Sequence, residues 1–483
     1  MKTNSYCSIR KYKNLLREAT TYEMWKEAAY QLDNLEGKEE WKADDEFEHY
    51  NHKLIRQHLS QIQKFRKTQK SQQLYKFLHE SLYQNLGNIT EPALYQNSRV
   101  GTKNLIKDYL NEVVRSMNFL CDTTFSQVSD YEKLKLFKSA QRNFGRSALL
   151  LSGGAVFGVY HLGVIKALRE QDLLPSIISG ASMGAIVAGI ICSRNEIELD
   201  EFYSNTEHIY LKAFQLLDFK MMLHKKSILD SKQLFRLIRR NIGNYTFEEA
   251  YKRSGRILNI SVSPTRSHQK PRLLNYLTAP EVSVSYSALA SCAVPGIFSP
   301  VSLVTKNQHG RHRFYLENEK WIDGSIHSDI PFERLSRLHN VNHTIVSQTN
   351  PHVLPFLIPQ QRKGNIPFMF NFATSIAHAI GNEILKTLRI RNDPGFLGFL
   401  LHKMHAILNQ KYIGDINIYP SFNPFLYHKL LKNPSHSGLK QFILEGERAT
   451  WPKLDMIDDH TIISRTFEAC IQRLKQKVNL GPF

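Results

Sequence analysis

The chain has 483 residues, 42% of them hydrophobic and 22% charged, a globular composition rather than a disordered one, and too long for one ordinary domain. Its 63 Lys and Arg outnumber 44 Asp and Glu, and the net charge of +19 draws it to a polyanion, either nucleic acid or an anionic membrane surface. The five cysteines, Cys7, Cys121, Cys192, Cys292 and Cys470, are odd in number and widely spaced, which fits neither a metal cluster nor a disulfide framework and favours a reducing compartment.

The opening MKTNSYCSIRKYKN lacks an apolar h-region, so no secretory signal is expected. No run reaches the roughly 18 apolar residues of a membrane span. Residues 1–145 are rich in Lys, Glu, Gln, Tyr and Leu, and apolar residues recur at helical spacing, as in Leu74, Phe77, Leu78 and Leu82. The break Asn85-Leu86-Gly87-Asn88, followed by Pro92, ends one helix, and a second is predicted over 101–120. This zone reads as an all-helical N-terminal domain without evident chemistry.

At Arg146 the pattern changes. A short apolar strand at 147–152 stops at Gly153-Gly154, a helix follows at 159–169, a strand at 174–179 closes on Gly180, and an apolar helix covers 183–193. Strand, glycine turn, helix, repeated, is the alternation of an α/β fold with a mainly parallel sheet. Further strands are predicted at 257–262 and 344–347. We take 146–347 as the central domain. From 348 to 483 helical stretches, such as 376–390, mix with Pro-containing loops and a strand at 414–420, as a mostly helical C-terminal extension.

Two glycine turns carry the chemistry. Gly180-Ala181-Ser182-Met183-Gly184 fits G-x-S-x-G, in which a serine at a sharp strand-to-helix turn needs small neighbours. The following helix aims its N-terminus at the reacting centre. A chance match is the alternative, and the strand before and apolar helix after weigh against it. Ser152-Gly153-Gly154-Ala155-Val156-Phe157-Gly158 presents backbone N–H groups between a strand and a helix. It lacks the Gly-Lys-Ser/Thr ending of a P-loop and does not space its glycines as a dinucleotide site does. A plain tight turn is one reading. Beside a serine elbow, an oxyanion hole built on Gly153, Gly154 and Ala155 is the better one.

A serine nucleophile needs a base. None of the 20 histidines sits in a recognisable setting, His327, His339, His343 and His352 being nearest by position. Trp321-Ile322-Asp323-Gly324-Ser325 instead sets an aspartate at a strand end, which by itself is an ordinary Asp-Gly turn.

Together LSGGAVFGVYHLGV, GASMG and WIDGSIHSDIP, in that order, resemble the patatin-like phospholipases. NLGNITEPALYQNSRVGTKNLIKDYLNEV resembles the helical domain, of the DUF3336 type, that precedes the core in fungal and plant triacylglycerol lipases of that family. ASCAVPGIFSPVSL, SQTNPHVLPF and GDINIYP are similar to that branch too, so the resemblance covers most of the chain. It implies a three-layer α/β core, a Ser-Asp dyad of Ser182 and Asp323, and an oxyanion loop at Gly153, Gly154 and Ala155. Gly180 and Gly184 flank the nucleophile. The aspartate motif reads Asp323-Gly324-Ser325 where Asp-Gly-Gly or Asp-Gly-Ala is the family rule. No histidine has an aspartate five residues on, so the H-x-x-x-x-D motif tied to acyl transfer in some members is missing.

The expected activity is hydrolysis of fatty-acyl esters, of triacylglycerol or glycerophospholipid, with no metal and no cofactor. Expected partners are the lipid substrate and an anionic membrane or lipid-droplet surface, where each Lys or Arg contributes about 1 kcal/mol. Lys225-Lys226, the basic run 236–240, the run 389–391 and the mixed apolar and basic segment 355–370 are candidates for that contact. The rival is a catalytically silent scaffold that docks on membranes through its basic surface. Nucleic-acid binding is not expected, since no groove-reading or stacking motif is visible.

Overall fold

A computed structural model describes residues 2–124, 128–225, 227–266, 269–307, 310–324, 330–351, 353, 413–420 and 430–478. Ser325, His327, His352, Lys226, the helix expected at 376–390 and the segments 355–370 and 389–391 lie outside the described residues.

Nine strands are described: β1 (Arg146–Leu151), β2 (Ile177–Gly180), β3 (Ile257–Pro264), β4 (Arg272–Leu274), β5 (Val304–Lys306), β6 (His312–Phe314), β7 (Trp321–Asp323), β8 (Val341–Ser347) and β9 (Ile416–Ile418). Seven build one sheet in the order β4-β3-β2-β1-β8-β9, with β7 also on β3, while β5 and β6 pair separately. The neighbours from β3 to β9 run parallel, and only β4 and β7 are antiparallel to β3. The fold is therefore mixed α/β with a mainly parallel sheet.

The strand sequences explain why the sheet is covered on both faces. In β1, Leu149 and Leu151 enter the larger core with Ile178, Leu258, Ile260 and Ile345. Ala148 and Leu150 point the other way and meet Ile177, Ile257, Val346 and Leu335 of the helix Phe332–His339. The unbroken apolar run 148–151, shared between two faces at period 2, marks a strand buried on both sides.

The described part of 2–144 forms helices. Ile55, Ile62, Ile106, Tyr109, Val113 and Phe137 make a second core, and the C-terminal helix Leu454–Lys477 completes it with Ile463, Phe467, Ile471 and Leu474. The helix expected at 101–120 is Asn104–Asp122, because Gly101 has φ +73° and cannot begin it; its N–H donates to Asp455 at 2.6 Å. The helix expected at 159–169 is His161–Glu170, after a 3-10 segment at Ala155–Tyr160.

The segments divided at 145 and 347 are packed into one another. Strand β9 extends the central sheet beside β8. The helix His436–Thr450 lies backbone to backbone on His161–Glu170: a Cβ on Gly163 would stand 1.8 Å from the Ile443 carbonyl oxygen, and one on Gly446 would stand 2.4 Å from that of Tyr160. Ala19, Tyr22, Trp25 and Ala29 from the N-terminal region join the larger core. No helix among the described residues is long and apolar enough to cross a membrane.

Candidate active site

The register of the parallel strands decides which residues meet. Leu151 of β1 lies beside Gly180 of β2, and Gly180 beside Ile260 of β3. Two residues past this row stand Gly153, Ser182 and Val262. Val262 pairs with Arg272 of β4 on one edge, so its partner Asp323 in β7 takes the other edge, the lane that β2 vacates at Gly180. Strand β7 thus runs back toward the end of β2, and Asp323 lies about 7 Å beyond Gly180 along that lane at the usual rise per residue. Gly153 and Ser182 follow the carboxyl ends of the parallel strands β1 and β2, where open α/β sheets place their sites, and Asp323 reaches that end from the antiparallel β7.

Ser182 has φ +52° and ψ −122°, a conformation that costs a residue with a Cβ on the order of 1–3 kcal/mol. The surroundings over-determine it. Ala181 N–H donates to Leu151 O at 3.1 Å, Ser182 N–H donates to Ser291 Oγ at 3.0 Å, and the Ser182 carbonyl accepts from Ala185 at 2.9 Å. A Cβ on Gly180 would stand 2.3 Å from the Gly184 carbonyl oxygen, and one on Gly184 would stand 2.2 Å from that of Leu151. The helix Met183–Cys192 starts at the next residue, with its free N–H groups and positive dipole end at the serine.

The loop after β1 passes directly over this turn. A Cβ on Gly153 would stand 3.1 Å from Asn350 Oδ1 and 3.4 Å from the Ser182 Cβ, so the loop runs close beside the serine side chain. Ala155 has φ +48°, and a Cβ on Gly154 would stand 2.4 Å from Thr349 Oγ1. The Gly153 carbonyl accepts from Ser152 Oγ at 2.8 Å and from Thr349 Oγ1 at 2.9 Å. In a planar trans peptide the next N–H points opposite to the carbonyl, so these two hydroxyls turn the Gly154 N–H away from themselves.

Asp323 is 1% exposed, and its N–H donates to the Ala293 carbonyl at 3.1 Å. Gly324 follows against β3, where a Cβ would stand 2.3 Å from the Ser261 carbonyl oxygen. Ser291, Cys292 and Ala293 link the serine to the aspartate. Burial pushes the Cys292 thiol above its usual range and the Asp323 carboxylate adds to this, while a hydrogen bond with Ser182 acts in the opposite sense. One buried side chain therefore feels both groups.

Residues 149–336 match the family model described as patatin-like phospholipase, and residues 3–142 match DUF3336, a domain of unknown function. The triacylglycerol lipase ptl3 of Schizosaccharomyces pombe is 34% identical, covering 94% of this chain and 96% of its own length. The chain belongs to the patatin-like phospholipase family. Triacylglycerol lipases 5 and 4 of Saccharomyces cerevisiae are 34% and 36% identical over 96% and 92% of this chain, which spans 65% and 51% of their lengths. The patatin match stops short of β8, although β8 is the neighbour of β1 in the sheet and leads into Thr349.

Four residues of this patatin-like site escaped the sequence reading: His161, Ser291, Cys292 and Thr349. Fully buried His161 has Nδ1 2.7 Å from Ser347 Oγ and Nε2 3.0 Å from the Ser152 carbonyl and 3.2 Å from Thr349 Oγ1. Burial pulls its pKa down to about 4, opposed by the bond to Ser152. The neutral ring then donates Nε2–H to the Ser152 carbonyl and accepts at Nδ1 from Ser347. The segments LSGGAVFGVYHLGV, ASCAVPGIFSPVSL and SQTNPHVLPF held these residues, but nothing in a linear sequence says that they converge. Two of the nearby histidines are occupied elsewhere: His339 Nε2 lies 3.0 Å from Asn259, and His343 bridges Ser147 and His460.

Proposed function

We propose that this chain is a serine acyl hydrolase of lipid esters, with Ser182 as nucleophile and Asp323 as its base. What carries the reading is the strained serine, φ +52°, held under a glycine loop at the end of a parallel strand while a buried aspartate enters the same lane. Triacylglycerol is the substrate named for the relatives, and we assign a neutral or phosphorylated glycerolipid ester to this chain on that ground.

Ser182 Oγ attacks the ester carbonyl as its proton passes to the Asp323 carboxylate, and the carbonyl electron pair moves onto oxygen. Amides of the loop Gly153, Gly154 and Ala155 stabilise that oxyanion without reorganising, because the Gly153 carbonyl is already pinned. Collapse expels the alcohol, which takes the proton back from Asp323. Water then attacks the acyl-enzyme, again giving its proton to Asp323, and the fatty acid leaves as Ser182 recovers its hydrogen. Gly180 and Gly184 make room for the elbow, and Gly324 lets Asp323 approach β3 closely.

The test is fatty-acid release from emulsified triacylglycerol and from phospholipid vesicles by the native chain, Ser182→Ala and Asp323→Asn. Both variants should fold and lose activity by about a thousandfold or more. Full activity in Ser182→Ala overturns the reading. Vesicle binding by the native chain without release from any lipid would make it the silent scaffold instead.

A further inference from the structure

Residues 213–225 and 227–230 leave the body of the protein as an arm. Its base is closed by Leu217 N–H donating to the Ile228 carbonyl at 3.0 Å and Asp230 N–H to that of Gln215 at 2.9 Å. The base is also anchored on the body: Ile228 N–H donates to Gly296 O at 3.2 Å, Leu229 N–H to Ile297 O at 2.9 Å, and Ser227 Oγ lies 3.0 Å from Ser299 Oγ. There the apolar residues are buried, Ala213 at 2% exposed and Leu229 at 3%.

The tip reverses this pattern. It is the short helix Phe219–Lys225, and within eight residues Leu216, Phe219, Met221 and Leu223 are 68%, 62%, 39% and 56% exposed. Single exposed apolar side chains are ordinary, but four in one arm form a patch that calls for a partner. Phe219 and Leu223, one helical turn apart, share a face, and Lys220 and His224 share the adjoining one. Lys212, Lys220 and His224 are exposed, whereas Asp218 is the only acid between 212 and 225.

The position of the arm connects it to the chemistry. Gly296 and Ile297, which hold its base, follow after Val294-Pro295 on the segment whose Ser291 and Ala293 hold Ser182 and Asp323. The arm is therefore anchored on the same stretch of chain that holds Ser182 and Asp323. We propose that this arm is the surface by which the protein seats itself on lipid, with Leu216, Phe219 and Leu223 entering the acyl boundary and Lys212 and Lys220 meeting anionic headgroups. The proposal rests on the hydrolase reading for its purpose but not for its measurement. A lipid surface fits better than a protein partner because three side chains on a seven-residue helix, with Leu216 just before it, fall well short of the roughly 800 Å² per partner of a stable protein interface. Apolar residues beside cations on a chain of net charge +19 also match an anionic interface.

The experiment uses the full chain, the triple variant Leu216→Ser/Phe219→Ser/Leu223→Ser and the pair Lys212→Gln/Lys220→Gln. Each is sedimented with phosphatidylcholine vesicles, with and without phosphatidylserine, and assayed on a short-chain ester dissolved in water. The triple variant should bind vesicles at least about tenfold more weakly while hydrolysing the dissolved ester within about twofold of the native rate. The lysine pair should lose the preference for phosphatidylserine. Unchanged vesicle binding by the triple variant overturns the proposal, as does a change in oligomeric state by light scattering in place of lost binding. If the triple variant does not fold, Phe219→Trp decides: its emission should shift to the blue on adding vesicles and be quenched by brominated acyl chains, and no shift overturns the proposal. A native chain inactive on every ester refutes the hydrolase reading, yet sedimentation still reads the arm.

Discussion

The backbone amide of Ser182 donates to the hydroxyl of Ser291 at 3.0 Å, and two residues further on the Ala293 carbonyl accepts the backbone amide of Asp323. One short segment thus holds the backbones of both proposed catalytic residues, with Cys292 buried between the two anchoring residues.

Replacing Ser291 by Ala should therefore disturb the elbow rather than the general packing. It leaves a buried N–H without its acceptor, at a cost of about 1–3 kcal/mol. We expect kcat on a dissolved ester to fall about tenfold with little change in KM, together with a lowered Tm. An unchanged kcat would mean that the strained turn holds itself without this bond.

The glycines separate into two kinds, which thermal unfolding can distinguish. At Gly184 an added methyl would stand 2.2 Å from the Leu151 carbonyl oxygen, within the packed centre of the sheet. Gly184→Ala should cost more than about 3 kcal/mol and yield little soluble protein. Gly255 has open space around its missing Cβ and φ +69°, so Gly255→Ala should cost only about 1 kcal/mol, from backbone strain alone. Equal losses at both positions would contradict the steric account.

Thr349 and His161 should matter for rate more than for binding. Thr349→Val removes one of the two hydroxyls on the Gly153 carbonyl, so the peptide carrying the Gly154 N–H loses part of its orientation. We expect kcat to drop about tenfold with KM held within about twofold. His161→Gln should behave alike, because it keeps a donor for the Ser152 carbonyl but loses the Ser347 bond. A change confined to KM would place these residues in substrate binding instead.

Acid should destabilise the fold through its buried histidines. Burial holds His161 and His343 down at about 4, against 6.5 for a free imidazole. Between those pH values the unfolded chain binds protons that the folded chain refuses, so stability falls as pH drops from about 6.5 toward 4. The loss is on the order of 3 kcal/mol per histidine at the lower limit. Urea midpoints measured across this range should decline as pH is lowered, and the slope should flatten in His343→Gln. A pH-independent midpoint would show that neither ring stays neutral in the folded state.

Much was legible in the residues alone. A short apolar run that ends in Gly-Gly, or in Gly-Ala-Ser-Met-Gly, reads as a buried strand entering a tight turn, because the length of the run and the glycine turn that closes it are local properties of adjacent residues. The parallel sheet followed from the alternation of such runs with apolar helices, and the helical N-terminal region from its period of apolar residues. The three-residue strand β4 fell in no expected strand, whereas β7 was legible only as a strand end before Asp323-Gly324. By itself that pair of residues still read as an ordinary turn. Only the tertiary structure puts it in the lane of β2, because β4 already occupies the other edge of β3 at Val262. Likewise the Ser291 hydroxyl, the Cys292 thiol, the Thr349 hydroxyl and the His161 ring gain their roles from strands and loops far apart in the chain. Which residues are small, apolar or bendable is written along the sequence, whereas which carbonyl a hydroxyl will meet depends on strand order and register, which long-range packing alone decides.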